Sequence, residues 1–440
     1  MKTRHEINTR HEITTDTFGP ATKHARDRCN GACKGNCRCP QPEPSRPDMA
    51  DLTRYPLVST MRAVSFDDAV VTITWEDDTI SRFHHGWLRE NSPDPASRHP
   101  HSRERLVSPL DIPADIRPKS VTLESPVALA ISWDLENQPV SRFDAGWLRA
   151  HCYTRHRFIA NPTRHHASLT PQPAYWSAVM HSDAMLRVWL RDYLETGWSV
   201  ISGAPDEHDL STRLGARIGV VRSSNFGFQF DVMSKAVPIS NAYTASDLPL
   251  HTDMPHYELP PGTQILHCLR NDAVGGESLL SDGIAVANLM RDHHPEVFRL
   301  LSQVSVPFRF QDADGDYNSR HRIIECDAAQ NPIFVNWSNS TLAPLDADPE
   351  IMPQLRAAIR LFLEYLQDPR FLITLKLNAG QMLVFDNRRM LHGRKSFDPT
   401  TGGRHLQGCY LDTSEVLSRM RMLERDSGEQ EDPAPEPAFI

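Results

Sequence analysis

The chain has 440 residues, of which 39% are hydrophobic and 23% charged, with 47 basic against 56 acidic side chains and a net charge of −9. That is enough apolar material for a sizeable core in two or three domains. It excludes an integral membrane protein, because runs such as Val127–Ile131 and Met382–Phe385 fall far short of the ~20 apolar residues that span a bilayer, and it disfavours a nucleic-acid partner, which leaves a basic footprint.

At the amino terminus, residues 1–48 look detached from the rest of the chain. TRHEI at Thr3–Ile7 repeats at Thr9–Ile13, and the segment ends in the proline-rich stretch Pro40–Pro47. Apolar residues are too few there to offset ordering entropy, so a disordered extension over 1–55 is expected. Four of the eight cysteines fall in it, as C-x3-C-x3-C-x-C (Cys29, Cys33, Cys37, Cys39). Soft thiolates suit zinc or copper, but the spacing matches no common zinc module. Met49 and Met61 are alternative starts. With no 7–15-residue apolar stretch in the first thirty residues, no secretory signal is read and a reducing cytoplasm is expected. The scattered Cys152, Cys268, Cys326 and Cys409 read as small buried hydrophobes.

Residues 56–160 hold two similar units. Val71–Thr74, Trp75, Ser81-Arg82-Phe83 and Gly86-Trp87-Leu88-Arg89 recur as Leu129–Ser132, Trp133, Ser141-Arg142-Phe143 and Gly146-Trp147-Leu148-Arg149. Alternation bounded by polar turns predicts strands and hairpins, hence a small β-rich domain with Trp and Phe in its core. Residues 161–176 read as a linker. Helices are predicted over Ala178–Leu194, ended by Gly197, and over His208–Gly219, with a strand at Trp198–Ser202 between them. Short strands then alternate with turns: Gln264–Cys268, Ser278–Leu280, Val304–Arg309, Ile333–Trp337, Thr374–Leu377, Gln381–Phe385 and His405–Leu411. Two helices interrupt them, at Gly283–Asp292 and Pro349–Gln367. The pattern predicts a mostly β, α+β domain over 175–425 built as a double-sheet jelly roll, followed by a solvated tail, 426–440.

The chemistry concentrates in His251-Thr252-Asp253. Residues i and i+2 of a strand share a face, so this imidazole and carboxylate can converge on one cation. H-x-D alone is common by chance. A third candidate, His392, comes 141 positions later, just after a strand. Two histidines and one carboxylate form the facial triad of non-haem Fe(II) oxygenases, which leaves coordination positions open. Arg404, twelve residues on, supplies a fork that binds a carboxylate bidentately, as the far end of 2-oxoglutarate requires. Arg394 is two residues from His392 and competes for that role; the RHL-x-G-x-Y context favours Arg404. His256 and His267 lack triad spacing and read as supporting or core residues.

The stretches Asn241–Gly283 and Phe385–Leu423 strongly resemble the γ-butyrobetaine hydroxylase family, within the taurine-dioxygenase-like superfamily of Fe(II)/2-oxoglutarate oxygenases. The marks are AYT before HTD, PPG-x-Q-x-LHC after it, GGESLL-x-DG, DN-x-R-x-LHGR and RHL-x-G-x-Y-x-D. The resemblance implies a double-stranded β-helix with Fe(II) on His251, Asp253 and His392, and Arg404 on the 2-oxoglutarate C5 carboxylate. It also implies O₂ as co-substrate, ascorbate as reductant, and a homodimer. The reaction would couple oxidation of 2-oxoglutarate to succinate with hydroxylation of a small trimethylammonium substrate, γ-butyrobetaine to carnitine. The family's aromatic cage, which works by cation–π attraction, maps to Phe226, Phe230, Tyr243 and Tyr410.

Two departures stand out. The asparagines that hold the substrate carboxylate in the family map to Ser240 and Ser338, with Asn241 and Asn339 adjacent. The family's amino-terminal zinc ligands, three cysteines and a histidine, fall within Trp87–Ser97 and at Pro139, where none of them survives, so no zinc is expected. Trimethyl-lysine or a trimethylammonium phosphonate is the alternative substrate, and a degenerate binding protein the alternative class.

Overall fold

The computed structural model describes residues 55–135, 139–153, 169–233 and 244–427. The cysteine-rich arm, the linker up to residue 168, and the tail beyond residue 427 lie outside them.

The sequence repeat in the amino-terminal part is a structural repeat. Strands Met61–Phe66, Val70–Trp75 and Ile80–His84 form one antiparallel sheet, and Pro118–Ser125, Ala128–Trp133 and Ser141–Asp144 form a second. Each Gly-Trp-Leu-Arg segment, read from sequence as part of a hairpin, is instead a short helix, His85–Glu90 or Ala145–Ala150. Val71, Ile73, Trp75 and Phe83 interlock with Leu129, Ile131, Trp133 and Phe143 in one core, as their alternation implied. Each tryptophan indole donates to the serine that opens the third strand, Trp75 to Ser81 at 2.9 Å and Trp133 to Ser141 at 2.8 Å.

Where family members carry zinc, this chain builds a polar cluster around the buried Asp94. Its carboxylate accepts hydrogen bonds from Ser92 Oγ (2.5 Å), Ser97 Oγ (2.7 Å) and the backbone N–H groups of Ala96 and Ser97. Ser92 Oγ lies 2.6 Å from Ser141 Oγ, and Arg89 donates to Ser97 Oγ. The cluster thereby ties the loop after the first helix to the second sheet.

The rest of the described chain is built on two facing sheets. The larger runs Phe230–Met233, Arg404–Leu411, Thr263–Asn271, Met382–Asp386, Trp198–Ser202 and Ala174–Tyr175, with Val221–Arg222 paired beside it. The smaller runs Leu248–His251, Met390–Arg394, Ser278–Asp282 and Leu372–Leu375. Period-two alternation sorts the large sheet's side chains. Leu383, Phe385 and Leu406 point inward to meet Leu280 and Met390 of the smaller sheet. Ile265, Val384, Cys409 and Leu411 point outward under helices Asp183–Thr196, Leu210–Ile218 and Thr413–Ser427. A second core joins helices Gly283–His293, Pro295–Gln303 and Met352–Leu366 to the ribbon Ser305–Gln311/Asp316–Arg322.

The helix read over Ala178–Leu194 is two, Trp176–His181 and Asp183–Thr196. Ser182 breaks the run because its hydroxyl caps the second helix, accepting from Met185 N–H. His392 lies within a strand rather than just after one. Cys152, Cys268 and Cys409 are buried, and Cys326 is half-buried. Among the described residues no helix is long and apolar enough to cross a membrane.

Candidate metal centre and active-site pocket

His251 ends the strand Leu248–His251, and the antiparallel register sets it directly opposite His392. The two rings lie 4.2 Å apart between centroids. The backbone leaves the strand after His251 and turns sharply at Met254, whose φ is +57°. Asp253 therefore reaches the histidines by way of a turn, and strand alternation alone would not have placed it there. Its oxygens sit 3.3 Å from His251 Nε2 and 3.6 Å from His392 Nε2. The three ligand atoms all lie within 4.8 Å of one another.

The surroundings fix these atoms. His251 Nδ1 is 2.8 Å from the Pro249 carbonyl; a proton on Nδ1 leaves the Nε2 lone pair for an ion, the usual arrangement behind a ligating histidine. Asn387 is fully buried: its Oδ1 accepts from Asp253 N–H (2.7 Å), and its Nδ2 donates to the carbonyls of Asp253 and Pro261. On the other side Thr252 N–H donates to the Trp337 carbonyl at 2.6 Å. The DN-x-R motif thus clamps the metal-ligating turn through Asn387, while Arg389 pairs with the buried Asp282 of GGESLL-x-DG at 2.7 Å. Gly393 is required by close approach, since a Cβ there would meet Leu248 O at 2.6 Å.

Burial opposes charge on Asp253, but the adjacent His392 and His251 and the hydrogen bond from Tyr410 outweigh it and hold the carboxyl well below its ordinary range. Burial and the neighbouring His251 push His392 down to about 3. One carboxylate and two imidazoles make a donor set suited to a divalent transition metal, with coordination positions left open.

The ligands open into a pocket also lined by Phe226, Phe230, Tyr410, Ser338, Arg394 and Arg404. Phe230 stacks on Tyr410 with centroids 5.0 Å apart, and Phe226 stands 6.4 Å from Phe230. Gly408 makes room for this wall, because a Cβ there would lie 2.7 Å from the Phe230 ring. Tyr410 also donates to Asp253 Oδ2 at 2.7 Å. Tyr243 and Ser240 lie outside the described residues. The two arginines differ in their surroundings, although the Nε of each is buried without a hydrogen-bond partner. Arg394 donates to the carbonyls of Thr244 and Ser246 at 2.6 and 2.9 Å. Arg404 is buried, its Nε has no hydrogen-bond partner, and burial together with the adjacent Arg394 pushes its pKa down to about 10.

Among the lining residues that sequence reasoning missed are Phe310, Thr341 and Met254, and it gave His256 a supporting role although it too lines the pocket. Phe310 extends the aromatic wall, 6.2 Å from Phe226; no local signal distinguishes it from a core phenylalanine. Asn387 was in view within its motif but had no role until its hydrogen bonds were known.

Comparison with known proteins agrees with this geometry. Residues 63–149 match the model of the gamma-butyrobetaine hydroxylase-like amino-terminal family, and residues 166–410 that of the taurine catabolism dioxygenase TauD, TfdA family. A gamma-butyrobetaine dioxygenase of a Pseudomonas strain is 40% identical over 383 residues, covering 86% of this chain and all of the relative. The human gamma-butyrobetaine dioxygenase is 30% identical, covering 82% of this chain and 96% of its own. A trimethyllysine dioxygenase of Meyerozyma guilliermondii is 26% identical, covering 82% and 94%. The chain belongs to the TauD, TfdA family, in its gamma-butyrobetaine hydroxylase-like branch, and is a 2-oxoglutarate-dependent dioxygenase.

Proposed function

We propose that this enzyme hydroxylates γ-butyrobetaine to carnitine, using Fe(II) held by His251, Asp253 and His392 and 2-oxoglutarate held by Arg404. The observation that carries the proposal is Tyr410, which belongs to two parts of the site at once. Its ring stacks with Phe230 in an aromatic wall, and its hydroxyl holds the metal-ligating Asp253. A cation seated on that wall lies next to the metal, so a carbon a few bonds from the trimethylammonium group falls beside it. Desolvated cation–π contacts are worth ~2 kcal/mol, and Phe226 and Phe310 extend the wall. Iron, when bound, supplies the O₂ chemistry. The residues of this chain bind and orient the two organic substrates around it. Arg404 meets the need for an anion partner, being a buried cation whose Nε is unpaired.

γ-Butyrobetaine is preferred to trimethyl-lysine because the relatives named for the former match at 30–40% identity and the one named for the latter at 26%. A cytoplasmic location and a homodimer complete the reading; the homodimer rests on the family resemblance.

The test is succinate formation from 2-oxoglutarate with Fe(II), ascorbate and O₂ across γ-butyrobetaine, trimethyl-lysine and a trimethylammonium phosphonate, with His251→Ala as control. Stimulation by γ-butyrobetaine, absent in the control, is expected. Stimulation only by another member of the panel would refute the substrate. Uncoupled turnover indifferent to every cation would refute the cage.

A further inference from the structure

One end of the pocket is polar in a way the aromatic wall does not explain. His256 is 4% exposed and lines the pocket, yet neither ring nitrogen has a hydrogen-bond partner. Thr341 lines the same pocket, and its Oγ1 is buried without a partner as well. Ser338, also buried, stands in the same turn, its carbonyl accepting from Thr341 N–H. Buried polar atoms are ordinarily paired, so two unpaired side chains facing one cavity point to a ligand that pairs them.

The three residues are held in place by one ribbon. Ser319 Oγ donates to the Pro255 carbonyl at 2.7 Å, and His321 Nε2 sits 2.8 Å from the Tyr257 carbonyl, which together fix the segment carrying His256. On the partner strand of the ribbon, Arg309 N–H donates to the Thr341 carbonyl at 2.7 Å. Phe310 from that strand stacks against the His256 ring, 5.2 Å between centroids and 23° from parallel, and so sets its plane. Burial pushes the imidazole down to about 4, which keeps it neutral near pH 7, with one N–H to donate.

What these groups face can be decided from the chemistry of the substrate class. A trimethylammonium head has neither an N–H nor a lone pair, so it satisfies no hydrogen-bonding group. Only the anionic end of a betaine presents oxygen acceptors. We propose that His256 and Thr341, beside Ser338, hold the substrate carboxylate, each donating it a hydrogen bond. The assignment deepens the function proposed above and rests on it.

The experiment compares γ-butyrobetaine with butyltrimethylammonium, which keeps the cation and lacks the carboxylate. Both are titrated calorimetrically into the enzyme loaded anaerobically with Fe(II) and 2-oxoglutarate, and KM values are taken in air where turnover occurs. Loss of a hydrogen bond to a charged group corresponds to roughly 10- to 150-fold in affinity. His256→Ala is expected to weaken γ-butyrobetaine by about that factor and to leave butyltrimethylammonium and the KM for 2-oxoglutarate within about twofold. His256→Asn, which keeps a donor, is expected to recover part of the loss, and the near-isosteric Thr341→Val to weaken γ-butyrobetaine about tenfold. Equal weakening of both cations in His256→Ala would overturn the assignment and make His256 part of the aromatic wall. Unchanged affinity for both would overturn it too, leaving water as the partner of these groups. A parent enzyme that binds neither cation would refute the functional reading, and this inference with it.

Discussion

Replacing Arg404 with methionine separates its role as an anion receptor from any role in packing. Arg404 opens the strand Arg404–Leu411 and is 9% exposed, its guanidinium 5.9 Å from the Phe397 ring. Arg394 flanks the same ring at 5.2 Å, but its Nη2 is spent on two carbonyls. Burial disfavours the charge on Arg404, the neighbouring Arg394 adds to that, and the lowered pKa of Arg404 expresses the cost. A carboxylate arriving at Arg404 relieves it. Truncating one partner of a buried, hydrogen-bonded charge pair costs ~2–5 kcal/mol, so the KM for 2-oxoglutarate in Arg404→Met should rise roughly 30-fold to several thousand-fold. The sign reverses without cosubstrate. Removing an uncompensated buried charge in favour of an apolar side chain is neutral or stabilising by ~1–4 kcal/mol, so the thermal midpoint of the ligand-free variant should hold or rise. The assay pairs succinate formation at varied 2-oxoglutarate with thermal unfolding of the ligand-free protein. A KM within about threefold of the parent, or a ligand-free variant that melts several degrees lower, would refute the reasoning, the second by showing that Arg404 is structural.

Asn387→Ala should weaken Fe(II) binding by ~10–100-fold, the range for groups that orient metal ligands, because it frees the backbone of Asp253 on one side; anaerobic Fe(II) titration followed by the 2-oxoglutarate charge-transfer band measures it, and an unchanged Kd would sink the idea. Asp94→Asn should destabilise the amino-terminal part by ~1.5–3 kcal/mol at neutral pH, since its charged hydrogen bonds lie in a buried cluster. Burial alone would raise the Asp94 pKa, but the hydrogen bonds from Ser92, Ser97 and Ala96 prevail and hold it below its ordinary value. A depressed native pKa gives stability that is present above the unfolded value of ~3.9 and is lost as pH falls through the native one. The gap between parent and variant in urea unfolding should therefore narrow as pH falls below about 5 and go on closing through the native pKa, and a gap independent of pH would show that the carboxylate is not the stabilising group.

The site was legible where the residue type itself carries the chemistry. His251, Asp253 and His392 stand out because histidine and aspartate are the ligands such a centre needs, and the Trp and Phe repeat betrayed its sheets through alternation. Other elements left no such trace. The strand Asp316–Arg322, DYNSRHR, alternates no apolar residues, because it is half of a two-stranded ribbon with little core to face. The strand Met390–Arg394 hides behind His392, Gly393 and Arg394, whose polarity serves the pocket although all five residues are buried. Helix Thr413–Ser427 is dense in charge and shows its core stripe only through Val416, Met420 and Leu423. His256 could not be singled out by spacing. Its significance is a pair of nitrogens left unpaired, and only the packing of Phe310 and the ribbon reveals that.

The two ends of the substrate are held by parts of the fold with different freedom to change. His251 and His392 are register partners, and a slip of one residue between their strands would turn one of them away from the other. Phe230 and Tyr410 are bound by the same constraint within the larger sheet, where strand Phe230–Met233 pairs with Arg404–Leu411 and Gly408 leaves space for the ring. Metal and cation sites therefore move together or not at all. Ser338 and Thr341 sit in a connection between elements, and His256 in the turn after the metal ligands. Connections tolerate substitution without disturbing a sheet ladder, so the anionic end can be rebuilt while the iron and the cage stay as they are.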